Sequence, residues 1–275
     1  MGEKKYIKAF DLNKKVVFLT GGAGFLGREF ARGYANYGAR VAILDIEASS
    51  ARVVAEQISD ESGQKALSVE CDIADPNSVV NALQKTIEEF GNVSILHNNA
   101  ANQSNGLESQ FESFEEYKLS DWKRVVGVDL QGAFVTTQIV GKHMVESKVK
   151  GSILQTSSIY SSYAPDNRIY ENAKRGEVSI CSPAVYSTVK AGSEGLVRWL
   201  ATYWAIHGIR VNAIVPGGIE SDQNDEFKSR YSDRIPLGRM ARAEEVVGAA
   251  IFLASDASSY ITGQSLRVDG GLSAW

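Results

Sequence analysis

Tyr186 and Lys190 stand four residues apart in the stretch YSTVK. On a helix that spacing puts both side chains on one face. A free phenol ionises near pH 10 (about 10), too high for a base at neutral pH. A neighbouring ammonium and the positive end of a helix both stabilise the phenolate. Ser182-Pro183 reads as a helix start, which sets Tyr186 in the first turn. The pair is therefore a candidate general acid/base, although solvated helix faces also carry such pairs. A second chemical cluster lies far upstream, in TGGAGFLG at residues 20 to 27. Four glycines there separate an apolar run from an amphipathic stretch. Tight turns at such a junction bring backbone N–H groups to a phosphate, and the helix N-terminus adds favourable charge. Asp45 follows Gly27 by eighteen residues, where a carboxylate can accept hydrogen bonds from an adenosine ribose. It would also repel a 2′-phosphate, and neither the glycine turn nor the residues directly after Asp45 offer Arg or Lys. NAD is expected over NADP.

These residues need a scaffold, and the hydrophobic pattern supplies one. KVVFLT, RVAILD, ALSVECD, VSILHNNA, GSILQTS, IRVNAIVP and SLRVDGG read as strands. Between them run helical patterns: LGREFARGYANYG, SSARVVAEQISDES, DPNSVVNALQKTIEEFG, DWKRVVGVDLQGAFVTTQIVGKHMV, AVYSTVKAGSEGLVRWLATYWAIHG and AEEVVGAAIFLAS. Asp75, Pro76 and Gly91 signpost the third of these as N-cap, first helical residue and stop. Strand–helix alternation predicts an α/β fold, a doubly wound (Rossmann) parallel sheet with helices on both faces. No linker or repeat divides residues 1–275, so one domain is expected. Two stretches fit no element, ANQSNGLESQFESFEEYKLS and IYSSYAPDNRIYENAKRGEVSICSP. Both follow strand ends, where doubly wound sheets bind ligands.

A net charge of −4 and the lack of a basic block argue against nucleic acid. Cys71 and Cys181 lack metal or disulfide spacing, and His97, His143 and His207 form no ligand motif. No metal is expected. The N-terminus lacks a signal core and no run is long enough to span a bilayer, so a soluble, cytoplasmic protein is the expectation.

TGGAGFLG, CDI, NNAA, GSILQTSS, YSTVK, VPGGIES and ITGQSLRVDGG occur in the order found in short-chain dehydrogenases/reductases, which the chain resembles over nearly its whole length. The pieces APDNRIYE, ATYWA, PLGRMA and DGGLSAW look like a subgroup linked to bacterial surface-sugar and flagellin-glycan pathways. The resemblance implies an NAD(H)-dependent oxidoreductase that interconverts a secondary alcohol and a ketone, on a sugar or polyol derivative. A 3-oxoacyl-thioester reductase is the alternative within the family, and a non-catalytic NAD sensor or scaffold the alternative outside it. By the same resemblance Tyr186 is the acid/base, and Lys190 assists it and holds the nicotinamide ribose. Ser158 orients the substrate oxygen, with Ser157 the second candidate. Gly21, Gly24, Phe25, Leu26 and Gly27 form the pyrophosphate turn. Asp45 and Ile46 meet the adenosine ribose, and Asp72 and Ile73 the adenine. Asn99, Ala100 and Ala101 line the cofactor, and Pro216, Gly217, Gly218, Ile219 and Ser221 flank the carboxamide. A homodimer or homotetramer is implied, with the small residues Ala191, Gly192, Ser193 and Gly195 either at a subunit interface or packed within the monomer.

Four positions depart from the family pattern. Phe25 gives the glycine turn the TGxxGxxG spacing of the extended branch, but the chain is too short for that branch's substrate domain, so a nucleotide-sugar epimerase is rejected. Ala101 replaces a glycine. Asp129 stands where the family's helix asparagine completes a catalytic tetrad. It could carry the relay water or disturb the acid/base. Finally, Ser158 and Tyr186 are 28 residues apart, about double the usual spacing, so an inserted loop at about 159–183 lies at the substrate mouth. Arg168, among Tyr163, Tyr170, Lys174 and Arg175, is the candidate substrate contact for an anionic group. The alternative is that the loop's charges are solvated.

Overall fold

The computed structural model describes residues 8–102, 112–175, 178–179 and 181–275, with the backbone alone at Arg175 and Val178. Residues 103–111 of the segment ANQSNGLESQFESFEEYKLS thus fall outside the described residues. Seven strands form one sheet: β1 (Val16–Thr20), β2 (Arg40–Asp45), β3 (Ala66–Glu70), β4 (Ile95–Asn98), β5 (Ser152–Thr156), β6 (Arg210–Pro216) and β7 (Ser265–Val268). Their order is β3-β2-β1-β4-β5-β6-β7, with every neighbouring pair parallel. β1 and β4 are neighbours although two strands separate them in sequence. The winding reverses there, and this switch point leaves a crevice at the strands' carboxyl ends.

Helices cover both faces, as the apolar periodicities predict. On one side α1 (Phe25–Asn36), α2 (Ala48–Ser62) and α8 (Val247–Ala254) bury Phe30, Tyr34, Ile58 and Leu253. On the other, α3 (Pro76–Phe90), α5 (Ala133–Glu146) and α6 (Ala184–Tyr203) bury Val79, Val140 and Val197. Each large apolar side chain so buried contributes about 1.5–3 kcal/mol. The Asp75 side chain caps α3 by accepting from Asn77 N–H at 2.9 Å, with Pro76 in the first turn.

The long helix expected over residues 121–145 is broken. α4 (Leu119–Val125) leads into a π-helical segment, Val126–Gly132, before α5 begins. Such wide turns are rare and often sit at functional sites; a Cβ on Gly132 would lie 2.8 Å from the Ile73 side chain, so the segment packs closely there. The inserted loop is also more ordered than its composition suggests. It holds short 3₁₀ turns at Ile159–Ser161 and Asn167–Tyr170 and a small antiparallel hairpin, Lys174–Arg175 with Val178–Ser179. The hairpin is fastened to a helix the periodicity does not reveal, α7 (Asp225–Ser232). Asn224, its N-cap, donates its backbone N–H to Lys174 O and its side-chain amide to Asn172 O. Ile169 and Ala173 of the loop pack on Phe227, Tyr231, Ile235 and Met240 in a separate small core.

His97, fully buried on β4, joins the sheet to the crevice. Thr156 Oγ1 donates to Asn99 Oδ1 at 3.3 Å, so His97 Nε2 must donate to Thr156 Oγ1 at 2.9 Å and Nδ1 accept from Tyr34 OH at 2.9 Å. Burial lowers this imidazole's pKa from its ordinary 6.5 to about 3. The unfolded chain therefore binds one more proton between those values. Stability is full above pH 6.5 and falls as pH drops through the window, by about 2 kcal/mol at pH 5 from this group. Urea unfolding of wild type and His97→Gln at pH 5 and pH 7 checks this: the variant should lose about that much of the wild-type pH dependence, and equal pH dependence would contradict it.

Candidate active site

The crevice holds two adjoining cavities. The first, of about 810 Å³, runs from Asp45, Ile46 and Asp72 across the glycine turn to Ser158, Tyr186 and Lys190. Its floor is the turn between β1 and α1. Gly21 has φ +60°, a left-handed conformation. A Cβ on Gly27 would lie 2.0 Å from Gly21 O, so only glycine lets α1 approach the turn so closely. Gly24 caps α1 without a side chain, leaving the first-turn N–H groups without a side-chain acceptor. Phe25 and Leu26 line the same cavity. Asp45 braces the turn: Oδ2 accepts from Ala23 N–H at 3.1 Å and Oδ1 from Glu47 N–H at 3.2 Å.

The remaining cofactor candidates are distributed along this cavity. Ile73, Asn99, Ala100, Ala101, Pro216, Gly217 and Ile219 line it. Asn99 ties its walls together by donating to Thr20 O at 3.3 Å and Gly21 O at 3.1 Å. Gly218 and Ser221 lie instead on the second cavity, of about 910 Å³. Glu47, Asn102 and Arg124 also line the first cavity, and no spacing pattern in the sequence marks them. An extended dinucleotide fits these walls: donors for a pyrophosphate at the capless helix end, a carboxylate at one end and the Tyr186–Lys190 pair at the other.

Tyr186 and Ser158 line both cavities. α6 begins after Pro183, which sets Tyr186 in its first turn. Lys190 is buried, its Nζ 5.6 Å from the Tyr186 ring centroid and donating to Thr156 O at 3.0 Å. The two serines separate. Ser157 Oγ donates to Glu194 Oε1 at 2.9 Å, whereas Ser158 Oγ accepts from Tyr160 N–H at 3.2 Å. Glu194 is itself buried and also accepts from Ser161 Oγ and from Ser265 Oγ, the latter at 2.8 Å. Asp129, on the π segment, accepts from Asn102 N–H at 2.6 Å. Burial pushes its carboxyl up, while Lys190 and the Asn102 bond pull it down.

The tyrosines of the second cavity were not singled out as a set by sequence. Tyr160 stands edge-on to Tyr186, with centroids 6.5 Å apart, and its hydroxyl lies 3.0 Å from that of Tyr170. Tyr231 and Phe227 come from α7; the i, i+4 aromatic pair in DEFKSRYS was the available signal. Arg168 is placed elsewhere. Its guanidinium grips Asp166 at 2.9 and 2.8 Å, its side chain is 90% exposed, and it lines neither cavity. Asp166 also accepts the Arg168 backbone N–H at 3.1 Å, so the pair closes a local turn instead of facing the crevice. Of the small residues on α6, Gly192 abuts Leu130 of the π segment, Ser193 is buried, and Gly195 faces open space. Cys181 borders the second cavity, its thiol pushed up by burial, and His143 and His207 lie outside both cavities.

Residues 15–232 match the family model for short chain dehydrogenase. The chain belongs to the short chain dehydrogenase family. It is 33% identical over 265 residues to a 3-oxoacyl-(acyl-carrier-protein) reductase of Aquifex aeolicus, covering 95% of this chain and 98% of the relative. It is equally 33% identical over 271 residues to a D-threitol dehydrogenase of Mycolicibacterium smegmatis, covering 95% and 94%. Among solved structures, a gluconate 5-dehydrogenase from Burkholderia cenocepacia in complex with NADP and tartrate superposes with a TM-score of 0.84 at 30% identity, covering 98% of this chain and 99% of that one. The protein is thus a family oxidoreductase with the family's parallel sheet, acting between alcohol and ketone with a nicotinamide cofactor. No helix among the described residues is long and apolar enough to cross a membrane.

The position of Arg168 yields a test. Arg168→Ala should leave kcat/KM within about twofold, because the exposed pair with Asp166 closes a local turn outside both cavities. A fall in kcat/KM of about tenfold or more in steady-state assays would return Arg168 to the site.

Proposed function

We propose that the protein is an NAD(H)-dependent dehydrogenase of a sugar or polyol, with Tyr186 as acid/base. The observation that carries this reading is that Tyr186 and Ser158 sit where the dinucleotide-shaped cavity opens into a second chamber rich in hydroxyl groups. The nicotinamide, when bound, supplies the acceptor or donor for the carbon-bound hydride. In the oxidation direction, Tyr186 Oη takes the substrate hydroxyl proton; in reduction it returns one. Ser158 Oγ already accepts from Tyr160 N–H, which leaves its own proton to donate to the substrate oxygen. Lys190 uses one of its three donors on Thr156 O, which leaves two that could serve Tyr186 and the ribose of a bound cofactor. Asp129, held by Asn102 N–H, is the residue that would carry a relay water in this reading.

Asp45 supports NAD over NADP. Both its oxygens are tied to backbone N–H groups beside the glycine turn, and Glu47 lines the same cavity, so a 2′-phosphate would meet two carboxylates. The hydroxyl-rich chamber favours a polyol over the 3-oxoacyl thioester of the acyl-reductase relative. Assembly as a homodimer or homotetramer and a cytoplasmic location complete the reading; the stacked Trp199 and Tyr203 on α6, 59% and 60% exposed, support an apolar subunit contact.

Tyr186→Phe should keep NAD affinity within about twofold and lose about 100-fold or more in kcat, because only the proton-transfer group is removed. Near wild-type kcat would reject Tyr186 as the acid/base, and NAD binding without turnover in wild type would favour a sensor. Asp45→Ala should weaken NAD binding and narrow its advantage over NADP, read by titration of both cofactors. A wild-type preference for NADP would overturn the assignment.

A further inference from the structure

Helix α6 carries Tyr186, Lys190 and Glu194 at a spacing of four. Residues so spaced fall along one face. Glu194 is buried and lines neither cavity of the crevice. Three serine hydroxyls donate to it, from the end of β5, the first turn of the inserted loop, and β7. Its Oε1 accepts from Ser157 Oγ at 2.9 Å and also from Ser161 Oγ, and its Oε2 accepts from Ser265 Oγ at 2.8 Å. One oxygen thus holds both ends of the stretch 157–161, which contains Ser158. Inside that stretch Ser158 Oγ accepts from Tyr160 N–H at 3.2 Å, and Ser158 O accepts from Ser161 N–H at 2.9 Å. The stretch leaves the sheet at Ser157, whose N–H donates to Ile214 O at 2.8 Å. Beyond that point Glu194 ties it to α6.

We propose that Glu194 is a positioning residue for proton transfer: it fixes where Ser158 Oγ stands relative to Tyr186 Oη, touching neither substrate nor cofactor. The proposal rests on the reading of Ser158 and Tyr186 as the groups that meet the substrate oxygen, and it adds what keeps the two in register. Tyr186 is placed by α6. Ser158 belongs to a short 3₁₀ turn, which has few backbone bonds of its own. Through Glu194 that turn takes its position from the helix that carries Tyr186. A misplacement of about 1 Å at a reacting group can cost about 100-fold in rate, so such a clamp acts on kcat. A glutamine can repeat the bonding pattern. Its Oε1 accepts from Ser157 and Ser161, and its Nε2 donates to Ser265 Oγ, which can accept as well as donate. An alanine cannot.

The test uses the whole protein, with NAD affinity by titration and turnover on whichever of D-threitol, sorbitol and acetoacetyl-CoA the wild type handles fastest. Glu194→Ala should lower kcat about tenfold or more and leave NAD affinity within about twofold, and Glu194→Gln should stay within about threefold of wild type. In a Ser158→Ala background the further loss from Glu194→Ala should shrink to about twofold or less, which a general loss of packing would not do. Hydrogen exchange of the peptide spanning 157–163 needs no substrate. It should be about tenfold or more faster in Glu194→Ala and normal in Glu194→Gln, with the turn at 20–27 unchanged. Where wild type turns over none of the three substrates, this exchange decides. Should Glu194→Ala not melt cooperatively, Ser161→Ala takes its place, with a kcat fall of about threefold or more that again needs Ser158. Wild-type kcat in Glu194→Ala, an equal loss with and without Ser158, or unchanged exchange at 157–163 would each overturn the proposal and leave Tyr186 as acid/base. Full turnover by Ser158→Ala would instead remove the reading of Ser158, and the proposal with it.

Discussion

A buried ammonium must have a partner, and in this protein the partner is a backbone carbonyl at the end of β5. Lys190 Nζ donates to Thr156 O at 3.0 Å and lies 5.6 Å from the centre of the Tyr186 ring. A strand end is stiff, since its other groups are committed to the sheet, so the cation's position is inherited from the sheet. The same threonine uses its hydroxyl on Asn99, which holds the glycine turn through Gly21 O. His97 pins that hydroxyl from inside the core. The glycine turn and the proposed acid/base pair are thus braced from one residue. The family's two tasks, holding a dinucleotide and moving a proton, share a single anchor.

The π-helical segment solves a second geometric problem. A regular helix through residues 119–146 would present side chains at a fixed 100° step. The widened turn at Val126–Gly132 re-aims Asp129 into the crevice, where Asn102 N–H meets it. Its carboxyl is buried and would be costly without that donor and the charge of Lys190. Asp129 and Asp222 both line the second cavity. Arg168, the anion contact expected from sequence, is held on Asp166 and lines neither cavity.

Much of the architecture was legible because its signals are local and periodic. Buried runs such as VVFLT and RVAILD, the Asp75-Pro76 cap and the glycine turn each specify their own conformation, and Tyr186 and Lys190 share a face by spacing alone. The residues expected at the cofactor line one cavity, with Gly218 and Ser221 falling on its neighbour. What escaped depends on contacts between distant segments. Arg168 is the exception: its contact with Asp166 is only two residues away, but no periodicity in YAPDNRIYENAKRG says which acid a loop arginine will grip. α7 has a polar composition and declares itself only through Phe227 and Tyr231, whose burial depends on the loop packed against them. The choice between Ser157 and Ser158 turns on Glu194, one helical turn beyond Lys190 and invisible as a partner without the fold.

The account stands on Lys190 serving cofactor and proton transfer together, from its anchor on Thr156. The most direct measurement is Lys190→Met, with NAD affinity by titration and kcat by steady-state turnover on the same preparation, its melting temperature recorded alongside. The account predicts that NAD affinity falls about tenfold or more and kcat about 100-fold or more, from one substitution in a protein that still melts cooperatively. Loss of only one of the two, or retention of both, would contradict it.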